Sequence, residues 1–264
     1  MKGMPTGQYI PGNSILHRLD ARAKILCMFI LLAAIIVAST IWGYALVILI
    51  TAGIGFASEL PVQAVFGTLR RLWLFFIIIF IMNTVFFDGE KSAWSWWIFN
   101  LSAAGAAQGA TVVFRLALLL LLSNCLTSTT APMDATNALE SLMKPLGLIR
   151  VPVEDIAMII SVAIQFIPTL IEETDMIRKA QIARGARFES KKLKEKAASV
   201  MPLVIPVFIS AFRRADELST AMEARGYRNA KNRTKRKRVP MKVIDYTALA
   251  GSALVCAVQI CIFR

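Results

Sequence analysis

Histidine occurs once in the 264-residue chain, at His17, which excludes a zinc centre built on several imidazoles. Cysteine is also scarce. Cys27, Cys125, Cys256 and Cys261 lie in or beside apolar runs, and no two form a C-x-x-C pair. They read as small buried hydrophobes rather than as disulfide partners or metal ligands. No G-x-x-x-x-G-K-[ST] phosphate loop is present, so the chain is not expected to hydrolyse ATP itself. Acidic residues are the third shortage: 17 Asp and Glu stand against 30 Lys and Arg, a formal net charge of +13. Such a surplus suits anionic lipid, nucleic acid or an acidic protein partner, and the placement of the charges decides among them.

What the chain has in abundance is apolar residues, 56% of the total, with a mean hydropathy of +0.60. Soluble domains average about 45–50% even with glycine counted. The excess lies in long uncharged runs, the mark of a chain whose solvent is lipid. Ile25 to Ala57 carries no charge and is too long for one crossing, so it is read as two spans joined near Ser39-Thr40-Ile41-Trp42-Gly43. Further runs cover Leu72 to Phe87, a stretch within Ala103 to Leu126 that contains Arg115, and Ile244 to Phe263. The expectation is an all-α membrane protein of about five transmembrane helices, with spans near 25–40, 43–57, 72–87, 105–126 and 244–264. The first run begins behind Arg18, Arg22 and Lys24 and is followed at once by a second, unlike a cleavable signal. The N-terminus is therefore kept as part of the mature chain.

Basic residues sort the two sides of the bilayer. Arg18, Arg22 and Lys24 precede the first span and Arg70 and Arg71 the third, whereas Trp94, Trp96 and Trp97 mark the opposite side. This predicts a cytoplasmic N-terminus, a membrane domain over 1–126, a cytoplasmic segment over 127–243 and a C-terminal span over 244–264. The inner segment holds 21 of the 30 basic residues together with 12 acids, too mixed in sign for a simple lipid-binding tail. It lacks the aromatic platforms of a nucleic-acid binder, so no nucleic-acid partner is expected. Its basic run Lys231 to Arg238 reads as an anchor to anionic lipid at the approach to the last span.

Within that segment Asp134 is expected to cap a short helix ending near Lys144-Pro145, followed by helices over about Val153 to Arg184 and Ala197 to Arg225. On the last of these, Phe208, Phe212 (or Ala211), Ala215, Leu218 and Met222 recur at helical spacing, with Arg213 and Glu217 placed to pair one turn apart. An apolar stripe of this kind implies a covering partner or the bilayer interface. The segment also repeats itself. Ile167-Pro168 leads into a stretch ending Ala183-Arg184-Gly185, and Ile205-Pro206 into one ending Ala224-Arg225-Gly226. Glycine stops a helix by taking the left-handed conformation, and an arginine on the final turn suits the helix dipole. Its planar fork can grip a carboxylate in an acidic groove of another protein, although a single such end is equally an ordinary helix stop. Arg115 either faces protein or water near mid-span, or snorkels to an interface because its span starts later. Pro168, Pro202 and Pro206 are either hinges or bends demanded by the fold.

These residues resemble the transmembrane T component (EcfT/CbiQ-like) of energy-coupling factor transporters, a class of ABC importers. The paired Ala-Arg-Gly ends carry most of the likeness. Ser14-Ile15-Leu16-His17-Arg18-Leu19-Asp20-Ala21-Arg22-Ala23-Lys24 is similar to the family's "LHRLDPRTK" opening, with Ala21 in place of proline. Thr129-Thr130-Ala131-Pro132, and Ala138-Leu139 through Pro145-Leu146, also resemble it. The resemblance implies no cofactor and three partner subunits besides lipid: two cytoplasmic ATPase subunits and a small membrane subunit that binds a vitamin or metal ion. Ala183, Arg184, Gly185, Ala224, Arg225 and Gly226 would dock the ATPases. The stripe Phe208, Phe212, Ala215, Leu218 and Met222 would carry the substrate-binding subunit, tilted when the ATPases close on ATP. The alternatives are an intramembrane enzyme acting on lipid or prenyl phosphates and a self-sufficient carrier. The enzyme would need clustered carboxylates or an activated nucleophile at membrane depth, where acids are almost absent. The carrier would be expected to show internal repeats among its spans.

Overall fold

A computed structural model describes the backbone of residues 9–59, 61–86, 94–96, 99–101, 103–145, 151–186, 193–227 and 241–262. The basic run Lys231 to Arg238 lies outside them. The fold is all-α apart from one short strand pair, and it divides into two units, residues 1–138 with 239–264, and residues 139–238.

The first unit opens with α1 (Ile15–Arg18) and α2 (Ala21–Val37). Each start is capped by a side chain that satisfies an otherwise orphaned helical N–H: Ser14 accepts from His17 and Asp20 from Arg22. His17 is held on both faces, its Nε2 donating to the carbonyl of Ile10 at 3.0 Å and its Nδ1 lying 2.6 Å from the Ser14 hydroxyl. Helices α3 (Ile41–Ala57), α4 (Val62–Arg71), α5 (Trp73–Phe86) and α6 (Ala103–Thr129) follow, then α7 (Pro132–Met143) and, at the end of the chain, α10 (Val243–Ile262). Helix α6 is the hub, packing against α2, α3, α4 and α5, while α10 lies along α2. Leu31, Ile35, Val47, Leu118 and Leu122 form the buried core. Where α5 meets α6 there is no room for a side chain at Gly109: a Cβ there would come within 3.0 Å of the Phe80 carbonyl. Small residues that let backbones approach closely are how helices pack when both faces are apolar. The outer faces stay apolar, with Trp73, Leu74, Phe75, Ile78, Ile81 and Phe86 of α5 exposed, as suits lipid.

The helices at the five expected spans are present, with differences beside them. By length and composition α6 and α10 can cross a membrane, and so can α8 (Val153–Ala183); α3 and α5 are shorter apolar helices. Arg70 and Arg71 close a ten-residue helix, α4, directly ahead of α5. The Trp-rich loop contains an antiparallel pair, β1 (Trp94–Trp96) and β2 (Phe99–Leu101), in the register Trp94 to Leu101 and Trp96 to Phe99. Helix α7 starts at Pro132, so Asp134 sits inside the first turn and is not its cap. Proline's fixed φ and missing N–H fit the first helical position. The four cysteines are free: Cys125 is buried, Cys27 and Cys256 partly so, and Cys261 exposed on the apolar exterior.

Polar side chains at both ends of the bundle bond chiefly to backbone, as a medium without water favours, although Arg115 Nε, Thr130 Oγ1 and Gln259 Oε1 are buried without a partner among the described residues. At one end Lys24 Nζ donates to the carbonyl of Thr129 at 2.9 Å, and the carboxylate of Asp245 accepts the N–H groups of Asp20 (2.9 Å) and Lys242 (2.7 Å). At the other end Gln259 Nε2 donates to the Gly43 carbonyl at 2.7 Å. Arg115 donates there to the Ala38 carbonyl (2.9 Å) and the Tyr44 hydroxyl (2.8 Å). Arg115 therefore faces protein at the level of the α2–α3 turn, roughly 20 Å along α6 from Thr129 at 1.5 Å per residue.

The second unit is built on α8 and α9 (Leu193–Ala224). Neither Ile167-Pro168 nor Ile205-Pro206 begins a helix: Pro168 lies inside α8, and Pro202 and Pro206 inside α9. Proline removes one ladder bond without ending a helix whose flanking turns are otherwise well made.

Candidate functional site

The two Ala-Arg-Gly sequences end their helices in the same backbone motif. In α8 the N–H of Gly185 donates to Ile182 and that of Ala186 to Gln181, both at 2.9 Å. In α9 the N–H of Gly226 donates to Glu223 (2.9 Å) and that of Tyr227 to Met222 (3.0 Å). These are the two reverse bonds of a Schellman cap, and both require a left-handed residue. Gly185 and Gly226 supply it with φ of +91° and +74°. Ala183, Arg184, Ala224 and Arg225 are exposed, and among the described residues neither guanidinium has an ion-pair partner.

The helices run antiparallel. Gln181 Nε2 reaches the Pro202 carbonyl at 3.5 Å, Arg214 pairs with Glu173 at 3.2 Å, and the Tyr227 hydroxyl donates to Met158 Sδ at 2.9 Å. Each arginine therefore tips the opposite end of the pair, on the order of 35 Å apart along its axis at 1.5 Å per residue. Two like charges at that distance do not compete for one partner surface. They are also well beyond the Debye length of about 8 Å at physiological salt, so each acts on its surroundings independently.

Between the helices runs a groove of about 690 Å³ lined by apolar side chains including Phe166, Leu170, Leu218 and Met222. The stripe read from α9 divides across it. Ala215, Leu218 and Met222 line the groove, whereas Phe208 and Phe212 point away from it, 61% and 58% exposed, in edge contact with ring centroids 4.8 Å apart. Met201, Ile205 and Ile209 extend the exposed face. The expected pairing of Arg213 with Glu217 is absent; Arg214, one residue on, pairs across to α8 instead. Sequence reasoning missed Tyr227. Its signal was its place directly after Ala-Arg-Gly, where a Schellman cap brings an apolar residue back onto the helix. The first copy has Ala186 there, so that end meets its neighbour through the long 3.5 Å contact of Gln181 with Pro202, and the second through the 2.9 Å contact of Tyr227 with Met158.

An all-helical membrane protein carrying two matched, arginine-tipped helix ends is the class that this fold defines. The family described as CbiQ, cobalt transport protein, matches residues 12–236. The energy-coupling factor transporter transmembrane protein EcfT of Ruminiclostridium cellulolyticum is 44% identical, over 93% of this chain and 91% of that protein. The EcfT of Brevibacillus brevis is 42% identical over 89% of each chain, and that of Bacillus subtilis 35% over 97% of each. The chain belongs to this family, the transmembrane components of energy-coupling factor transporters.

Proposed function

We propose that this chain is the coupling subunit of an energy-coupling factor importer, transmitting the motion of two ATPase subunits to a substrate-binding membrane subunit that takes up a vitamin or metal ion. The observation that carries the proposal is the pair of exposed arginines, Arg184 and Arg225, on identical glycine-stopped caps at opposite ends of one antiparallel helix pair. Each arginine enters an acidic groove on one ATPase, where the guanidinium can bind a carboxylate through two hydrogen bonds. Ala183 and Gly185, Ala224 and Gly226 leave the approach clear, since their side chains are small or absent. The exposed face of α9 around Phe208 and Phe212 carries the substrate-binding subunit, together with Ala215, Leu218 and Met222 where the groove opens. Residues 127–243 and the N-terminus lie on the cytoplasmic side, following the basic residues at the ends of the first and third apolar runs. By length α8 could itself cross a bilayer, but its second half carries Glu172, Glu173, Asp175, Arg178 and Lys179, which favours an interfacial course.

The test is copurification and uptake with Arg184→Ala, Arg225→Ala and the double variant. Losing one partner of a buried charge pair costs about 2–5 kcal/mol, so each single change should weaken ATPase retention and the double change abolish it. A double variant that keeps its ATPases and imports substrate at the normal rate refutes the proposal.

A further inference from the structure

The membrane unit contains a cavity that the coupling mechanism does not use. It is half-open, about 400 Å³, and enclosed by α2, α3, α6 and α10 together with Leu16 and Leu19. That size falls within the range of about 300–1,000 Å³ typical of small-ligand sites. Leu31, Ile54, Leu122 and Val255 form its walls, with Cys27 and Cys125 between them. Gly251 of α10 leaves part of the space open: a Cβ built on it meets nothing within 4 Å. One cation lines the cavity, Lys24, whose ammonium spends one of its three protons on the Thr129 carbonyl. Arg18 and Arg22 lie within six residues of it along the chain, Arg18 exposed and Arg22 partly buried. The nearby acids are largely engaged. Asp245 accepts two backbone N–H groups, and Asp20 accepts that of Arg22 and lies 3.9 Å from its guanidinium; Asp134 is the acid left to offset Lys24.

We propose that this cavity holds one acyl chain of a membrane phospholipid whose phosphate rests against Lys24. An unfilled space of this size forfeits the dispersion contacts of its whole lining. In a bilayer the abundant apolar filler is an acyl chain. Its phosphate meets the basic rim at the end of the bundle where Lys24 lies, and the chain then runs along α2 and α10. A lipid so placed would stiffen the seam between the first and last helices of the unit.

The experiment uses the full-length chain in phosphatidylcholine nanodiscs doped with phosphatidylglycerol that carries a photoreactive diazirine at the end of one acyl chain. Labelled peptides are identified by mass spectrometry, and labelling of the lipid-facing helix α5 serves as the internal standard. In the unaltered protein the label should fall on α2, α6 and α10 around Leu31, Leu122 and Val255, above the α5 level. Gly251→Leu, whose Cβ has open space and whose side chain takes up part of the cavity, should reduce that signal to the α5 level. Lys24→Gln should lower it about tenfold, the size of one hydrogen bond to a charged group, and Lys24→Arg should restore it. Should Gly251→Leu perturb folding, thiol reactivity decides. Cys27 in delipidated, detergent-solubilised protein should react with maleimide and be protected by added phosphatidylglycerol. Wall labelling no higher than α5 in the unaltered protein, labelling unchanged by Gly251→Leu, or Cys27 reactivity indifferent to phosphatidylglycerol would each overturn the proposal.

Discussion

The carboxylate of Asp245, only 2% exposed, accepts the backbone N–H of Asp20 at 2.9 Å, tying the start of the last helix to the start of the first membrane helix. Its second oxygen takes the N–H of Lys242 at 2.7 Å, so both lone-pair faces are used on backbone. Asp20 in turn caps α2 with its own side chain. The opening segment therefore serves as a clasp, with His17, Ser14 and Asp20 shaping the approach and Asp245 closing it.

Removing that clasp leaves two backbone donors unpaired in a partly buried setting. Each such group costs about 1–3 kcal/mol. Asp245→Ala should therefore lower the unfolding temperature in detergent markedly, and Asp245→Asn, which keeps one acceptor oxygen, should fall between the two. Equal stability of all three proteins, followed by thermal size-exclusion, would contradict the assigned role.

At the opposite end of the bundle Arg115 joins α6 to the α2–α3 turn through the Ala38 carbonyl and the Tyr44 hydroxyl. Hydrogen bonds to charged groups are worth about 1.5–3 kcal/mol. Arg115→Leu should destabilise by about that much, and Tyr44→Phe by less, because the Ala38 bond survives. In a double-variant cycle the two effects should be smaller together than their sum. Strict additivity would mean that the side chains do not interact.

How far the sequence reveals this architecture depends on whether a feature is local. The apolar helices of the first unit were legible because uncharged runs bounded by Arg, Lys and Trp carry their own signal. Both glycine stops were legible because a Schellman cap is written in consecutive residues. The strand pair at Trp94 to Leu101 escaped notice although Trp94-Ser95-Trp96 and Phe99-Asn100-Leu101 alternate as strands do, three residues being too few to stand out. Helix α4 leaves no mark in the apolar pattern, where only its closing Arg70-Arg71 stands out, as charge. Contacts across elements were not legible at all. Helical periodicity put Phe208 and Leu218 on one stripe, but only the position of α8 separates the exposed aromatic from the groove-lining leucine. Likewise Arg213 and Glu217 satisfy the spacing rule, while Arg214 finds Glu173 on another helix.

That cross-helix pair should matter little. Arg214 is well exposed at its side chain, 38%, and partly exposed pairs contribute about 0–1 kcal/mol. Charge reversal of both partners, Arg214→Glu with Glu173→Arg, should leave stability and uptake near normal. A large loss on the double reversal, measured by transport in vesicles, would show that Arg214 has a second partner.

The two arginine tips are matched in backbone but not in support, and the difference can be tested. Gly185→Ala and Gly226→Ala each force a side chain into the left-handed region, at about 1–2 kcal/mol. With both arginines intact, each change should fray its helix end and weaken ATPase retention by misplacing the guanidinium. The end at Gly226 is held further by the Tyr227 hydroxyl against Met158 at 2.9 Å, whereas Ala186 offers no such side chain and the end at Gly185 has only the longer 3.5 Å contact of Gln181 with Pro202. Gly185→Ala should therefore cost more retention than Gly226→Ala, and adding Tyr227→Ala to Gly226→Ala should erase the difference. If the two glycine variants behave alike and Tyr227→Ala adds nothing, the hydroxyl–thioether contact does not steady the second tip.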